Sequence, residues 1–369
     1  MMINEYVKKL AKVLCHYSLN IKKGEIVKIE GKYNSLPLII AFYEEVLENN
    51  SSPFVKIIIE DTMEIFYKKA KEFQLKFIFP TEWLELKKVN SWLTIWTDFN
   101  KKYLTNVPSE RIALFRKARK NYYARLLSKI AKKEIKWCGT AYPDIANAMD
   151  AEMSLSEYED FIFKACFLDK KEPIKEWEKL SKWQEKLIKY LSKKEKIKVV
   201  GNNVDLELAV KGRKWINCDG KENFPDGEIF TSPIEDSVNG FIKFSFPCVY
   251  GGKEVDGVEL HFKEGKVVKA KAQKNEDYLL ALLQTDEGAR RVGEFSFGTN
   301  YNIQKFVKNT LFDEKIGGTI HLALGSSLFE TGGKNKSSIH WDMVCDLRKE
   351  GEIFADNELI FKNGKFLID

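Results

Sequence analysis

Apolar positions follow different periods in the two halves of the chain. Residues 3 to 17 carry Tyr6, Val7, Leu10, Val13, Leu14 and Tyr17 on one helical stripe. Lys22-Lys23-Gly24 then turns the chain into Glu25-Ile26-Val27-Lys28-Ile29-Glu30, which reads as a strand. Leu36 to Leu47 reads as a helix and Pro53 to Ile59 as the next strand. Leu75 to Phe79, Trp92 to Trp96 and Ile135 to Cys138 are further strand candidates, each beside a helical stretch. Such alternation predicts an α/β domain with a parallel or mostly parallel sheet covered by helices. From Lys170 to Glu195 the pattern is helical and highly charged, with Trp177, Leu180, Trp183, Leu187 and Leu191 on its apolar side, and it reads as a connector between domains.

The second half changes to strands and hairpins. Val204 to Val210 alternates apolar and polar positions. Leu260 to Val268 turns at Glu264-Gly265, and Leu359 to Leu367 turns at Asn363-Gly364, a dipeptide suited to tight hairpins. One helix, from Asp277 to Arg290, interrupts them. The expectation is a mixed α+β domain with an antiparallel or mixed sheet curled around a pocket, and no internal repeat. At 369 residues the chain exceeds the roughly 250 to 300 at which a single core stops growing, so two domains are expected, 1–175 and 176–369.

Composition adds mainly exclusions. Hydrophobic residues at 44% and aromatics at 13% are ample for packed interiors, which rules out a disordered chain. The net charge of +6 comes from 60 basic and 54 acidic residues that are mixed rather than segregated, so no nucleic-acid partner is expected. The six cysteines include no CxxC pair, which argues against a disulfide framework and a structural zinc knuckle. No signal-peptide core and no bilayer-spanning apolar run is visible, so the expected address is cytoplasmic, with no membrane partner. Lysine, glutamate and isoleucine abound while glutamine is scarce, a balance found in heat-adapted proteins and also left by AT-rich genomes. Neither a GxGxxG nor a GxxxxGK[ST] fingerprint is present.

Two of the four histidines, His321 and His340, lie near the C-terminus. In the strand-like run Ser338-Ile339-His340-Trp341-Asp342-Met343-Val344, alternation places His340 and Asp342 side by side on one face, a metal-ligand pair in want of partners. A two-metal hydrolytic site needs bridging carboxylates, neutral imidazoles and an open position for water. His321 stands in an apolar stretch where an imidazole must find a partner; Glu228 enters a strand after Asp226-Gly227; Glu294 follows Gly293; and Glu314 follows Leu311-Phe312-Asp313. Taken singly, an acid after a turn is usually a solvated strand end and a strand histidine a hydrogen-bonded core residue. His16 and His261 read as surface residues, and Gly332-Gly333-Lys334 reads as a flexible approach to the His340 strand rather than a phosphate loop.

Five separated blocks, Asn223 to Thr231, Thr285-Asp286-Glu287-Gly288 ahead of Gly293-Glu294, Asn309 to Glu314, His321 to Gly325, and His340-Trp341-Asp342, resemble in order and spacing the thermophilic metallo-aminopeptidase family of the aminopeptidase T and aminopeptidase S type. Asn20 to Glu25 and Gly212-Arg213-Lys214-Trp215 extend the resemblance over nearly the whole chain. It implies an N-terminal α/β domain, a C-terminal catalytic domain with two divalent metal ions (zinc, cobalt or manganese), a homodimer, and peptide substrates with a free N-terminus. Carried over, Glu228, Glu294, Glu314, His321, His340 and Asp342 form the metal shell, with Glu294 bridging and Glu294 or Glu314 shuttling the proton. One departure stands out: Leu328, seven residues after His321, occupies the position where the family usually has a tyrosine.

The resemblance also frames two rivals. Dihydroxypyridine dioxygenases share the general fold, and His321, His340 and Asp342 could form the facial triad of a mononuclear iron ring-cleaving enzyme. Leu328 raises the second, a catalytically weakened peptide-binding member.

Overall fold

The computed structural model describes residues 4–368, and the chain divides into two compact units. The first runs to Ile174 and takes in Gly220–Pro225; the second comprises Lys175–Asp219 and the chain from Asp226 onward. Gly220–Pro225 falls inside the range expected for the second domain but clusters with the first.

The first unit is built on a five-stranded sheet in the order Ser52–Ile58, Ile26–Lys32, Ser91–Trp96, Lys136–Ala141 and Asn223–Phe224. Every neighbouring pair is parallel, in keeping with the alternating helical and strand patterns. Helices Glu5–Val13 and Leu36–Glu48 bury Leu10 and Phe42, and the strands bury Val27, Ile29, Leu93 and Ile95. Leu75 to Phe79 is no strand. Glu72–Lys76 is a short helix, the Gln74 side chain accepts from the Lys71 amide, and Pro80 opens the next helix at Pro80–Lys88. Leu75 is buried with Tyr67 and Val107 while Phe77 and Phe79 stay exposed, and the run never enters the sheet.

The second unit holds two larger antiparallel sheets. One has eight strands, ordered Lys266–Lys271, Glu259–Lys263, Asn239–Lys243, Val204–Ala209, Lys196–Gly201, Glu352–Ala355, Glu358–Lys362 and Lys365–Phe366. The other has five: His340–Asp346, Thr319–Gly325, Val292–Gly298, Glu228–Thr231 and Ile216–Cys218. The two expected hairpins form, with Glu264 and Gly265 (φ 49° and 74°) and Asn363 and Gly364 (φ 49° and 82°) in the left-handed conformation their turns require. The antiparallel pairing expected of this half holds, and the two sheets share a single apolar core that includes Val199, Leu206, Leu260 and Ile353 from the larger and Phe295, Phe297, Ile320, Leu322, Trp341 and Met343 from the smaller.

Two helical expectations need correction. The charged helix, Pro173–Leu191, is no free connector, because Leu187 and Leu191 are buried in the second unit's core and its charged residues are merely its solvated face. The helix expected over 277–290 stops at Leu283 and resumes as one 3-10 turn at Glu287–Arg290. Between them Asp286 accepts from Ser337 and Ser338, bonds that take the chain off the helical path.

Candidate metal centre

The five-stranded sheet sorts its side chains by alternation. Phe295, Phe297, Ile320, Leu322, Leu324, Trp341, Met343 and Cys345 enter the core, whereas Glu294, Ser296, His321, His340 and Asp342 point to the opposite face. Register then brings the polar set together: Ser296 opposes His321, Ala323 opposes both Glu294 and Asp342, and Gly325 opposes His340. A bulge between Val292 and Glu294 aims the glutamate at this face. Only glycine fits at 293, where a Cβ would lie 2.3 Å from the Ser326 carbonyl oxygen. Glu228 joins from the next strand, opposite Gly298.

The distances form two adjoining groups. His321 Nε2 lies 3.2 Å from Glu294 Oε1 and 3.5 Å from Glu228 Oε2. His340 Nε2 lies 3.3 Å from Glu294 Oε2 and 3.5 Å from Asp342 Oδ1. Glu294 thus turns one oxygen to each imidazole, and each group offers three ligand atoms within 4.8 Å of one another. The His340 Nδ1–H donates to the Ser326 carbonyl at 2.8 Å, which fixes the tautomer and leaves Nε2 as the free donor atom. His321 is buried, and its Nδ1 has no hydrogen-bond partner among the described residues.

The electrostatics are those of a site short of positive charge. Burial disfavours ionised Glu294, yet the two imidazoles outweigh it and hold the carboxyl down at about 2. Burial likewise opposes imidazolium at His321, but Glu294, Glu228 and Glu314 push it up to about 9. His340 rises to about 10 against its burial because Glu294 and Asp342 face it. Asp342, Glu228 and Asp226 shift upward, chiefly through burial and then, at Asp342, through the charge of Glu314. The donor set, two imidazoles and a run of carboxylates, fits divalent metal ions.

Several participants escaped the sequence reading. Lys315 is buried, with its Nζ 2.6 Å from Glu228, 2.9 Å from Glu314 and 3.9 Å from Asp226. Burial opposes its charge, and these carboxylates outweigh it, so it stays protonated. Gln184, on the helix misread as a connector, donates from its buried side chain to the Glu228 carbonyl at 2.8 Å and to Thr299 Oγ1 at 2.9 Å. Ser296 Oγ donates to Glu228 at 3.1 Å. Glu314 lies outside both three-ligand groups; with Asp342 it lines a cavity of about 40 Å³ bordered by the stacked rings of Phe246 and Phe306. The other two histidines are paired with glutamates away from this face, exposed His16 with Glu45 at 2.6 Å and half-buried His261 with Glu259 at 2.7 Å.

The chain matches the thermophilic metalloprotease family, M29, over residues 3–366. It belongs to that family. It is similar to aminopeptidase T of Thermus thermophilus, 26% identical with 92% of this chain and 91% of the relative covered. Aminopeptidase 2 of Geobacillus stearothermophilus is 29% identical over 73% of this chain and 74% of its own. The solved structure of wild-type AmpT from Thermus thermophilus superposes with a TM-score of 0.84 over the full length of both chains at 23% identity, a likeness of fold. As an M29 metalloprotease the chain is a metal-dependent peptide hydrolase. The oxygenase alternative has no support among these relatives.

The approach to the His340 strand is anchored rather than loose. Arg213, in one of the blocks that carried the resemblance, donates to the Gly332 carbonyl and pairs with Glu235 at 2.6 Å, and Glu235 accepts from the Lys334 amide. Asn335 donates to the Gly288 and Gly325 carbonyls. Asp286, held down at about 2 by hydrogen bonds from Ser338 and Ser337, secures the last turn before the strand. These bonds orient His340 without touching it. Among the described residues no helix is long and apolar enough to cross a membrane.

Proposed function

We propose that this M29 chain is an aminopeptidase that releases N-terminal residues from peptides, with two divalent metal ions on the outer face of the five-stranded sheet. Glu228, Glu294 and His321 would hold one, and Glu294, His340 and Asp342 the other, with Glu294 shared. One observation carries the reading. Around Lys315 and the two imidazoles stand five carboxylates, Asp226, Glu228, Glu294, Glu314 and Asp342; with all five ionised and the imidazoles neutral, as ligands would be, they would leave four negative charges against one ammonium, the charge of two divalent cations. The names of the relatives, aminopeptidase T and aminopeptidase 2, support the exopeptidase assignment.

Zinc, cobalt or manganese bound there would supply Lewis acidity and a water of lowered pKa. The chain's own residues divide the remaining work. Glu294 has both oxygens committed to imidazoles and acts as a ligand. Glu314 is steadied by Lys315 through Oε2 and borders the cavity, which suits it to accept the water's proton and return it to the leaving amine. His340 and Asp342 flank the same face, where the free amino group and scissile carbonyl of the peptide would sit. Leu328 offers no side-chain hydrogen bond at the position where the resemblance places a tyrosine.

The test is release of a chromogenic amine from a panel of aminoacyl substrates after metal removal and readdition of cobalt, zinc or manganese. Metal-dependent release is expected. Silence across the panel with two metals bound would overturn the aminopeptidase reading.

A further inference from the structure

Beside the two groups at Glu294 lies a third set of ligand atoms, from Cys218, Asp226 and Glu228, again within 4.8 Å of one another. The backbone builds it as deliberately as the others. Cys218 ends its strand directly opposite Glu228 in the antiparallel register, which puts thiol and carboxylate on one face. Gly227, at φ 121° and so close to Asn300 that a Cβ would approach within 2.6 Å, turns Asp226 back beside them. Asn300 Nδ2 fixes this turn by donating to the Asp226 carbonyl at 2.9 Å.

A thiol with two carboxylates in a buried setting is a donor set for zinc, cobalt or cadmium. The cation beside this set is the Lys315 ammonium, 2.6 Å from Glu228 Oε1 and 3.9 Å from Asp226 Oδ1, with a further bond of 2.9 Å to Glu314. It takes Oε1 of Glu228 and leaves Oε2, which accepts from Ser296 at 3.1 Å and lies 3.5 Å from His321, to face the other side.

We infer that Lys315 is a built-in cation that stands in a third metal position, confines Glu228 to one ligating oxygen, and keeps the Cys218 thiol out of the metal centre. Lys315 is thus a positioning residue that sets how many metal ions the centre holds. The inference rests on the proposed reading of Glu228 as a ligand. It also gives the buried lysine a task that a neutral residue of the same length cannot perform.

The test is metal content and the cobalt absorption spectrum of the full chain, with cobalt alone as the probe. Lys315→Met should bind one more cobalt ion per chain than the parent and gain the near-ultraviolet charge-transfer absorption of a thiolate–cobalt bond. Lys315→Met with Cys218→Ser should lose both gains, and Lys315→Arg, which retains the charge, should match the parent. Cys218→Ser alone should leave the parent's metal content and spectrum unchanged, and this comparison serves if Lys315→Met does not fold. Equal metal content in Lys315→Met and parent with no thiolate band, or a thiolate band in the parent that Cys218→Ser removes, would overturn the inference. The difference between variant and parent tests Lys315, whereas a parent content other than two counts against the two-metal reading alone.

Discussion

The chain buries two lysines among carboxylates, one in each unit, and their surroundings differ in a way that separates structure from chemistry. Lys28, in the first unit's sheet, is fully buried with its Nζ 2.7 Å from Glu85, 3.0 Å from Glu30 and 3.4 Å from the centre of the Trp92 ring. Lys56 approaches Glu30 at 3.7 Å, so two ammonium groups face two carboxylates and the cluster closes on itself. Lys315 serves a cluster with four carboxylates to spare, two of them beside imidazoles. Both lysines offset the cost of buried carboxylates. A buried cluster whose charges cancel holds the fold together, while one left with surplus charge and neutral nitrogen donors seeks a ligand.

The sharpest contrast comes from deleting a group on each side. His340→Ala or Asp342→Ala should abolish both metal retention and turnover, because each removes a donor that no neighbouring residue replaces; a fully active His340→Ala enzyme would break the comparison. Lys28→Met should instead leave the metal content intact and lower stability by about 3 to 5 kcal/mol, the cost of stranding buried charge. Thermal unfolding would read this as a fall on the order of 10 °C.

A smaller effect lies within the catalytic side. Leu328→Tyr should raise turnover on aminoacyl substrates by up to about a hundredfold if the missing hydroxyl is a transition-state donor. Unchanged kinetics would place that role on another group.

The cluster around Glu294 should also respond to pH. His321 and His340, raised to about 9 and about 10 in the metal-free chain, contribute stability that is complete below the ordinary imidazole value and lost as pH rises through about 9 to 10. Glu294, lowered to about 2, contributes above the ordinary carboxyl value and fails as pH falls toward about 2. Cations compete with the imidazolium protons, so metal uptake near neutrality should release protons and tighten with rising pH. Titration in weak buffer would register the release; metal binding without proton release would contradict the charge account.

What could be read from the sequence follows the same physics. Strand alternation in His340-Trp341-Asp342 and the run around His321 was legible because one face must be apolar, so the polar exceptions identify themselves. Glu228 and Glu294 could be placed only through the family blocks, since their convergence depends on cross-strand register and on the Gly293 bulge. Lys315 and Gln184 were missed because lysine and glutamine are ordinarily surface residues, and Asp226 and Cys218 because only the pairing of their strands and the turn at Gly227 brings them to Glu228. For Lys315 a signal did exist: it directly follows Glu314 in a block already singled out. The connector error has a similar source, because charge along 170–195 describes the solvated face and says little about the face carrying Leu187 and Leu191.

The central claim is that surplus buried carboxylate on the five-stranded sheet is matched by two divalent cations that support peptide hydrolysis. Its most direct test is elemental analysis of the native chain, with activity followed as metal is returned stepwise to the metal-free form. The account predicts two ions per chain and activity that is complete only at the second equivalent. A single ion per chain, or full hydrolysis by the metal-free form, would contradict it.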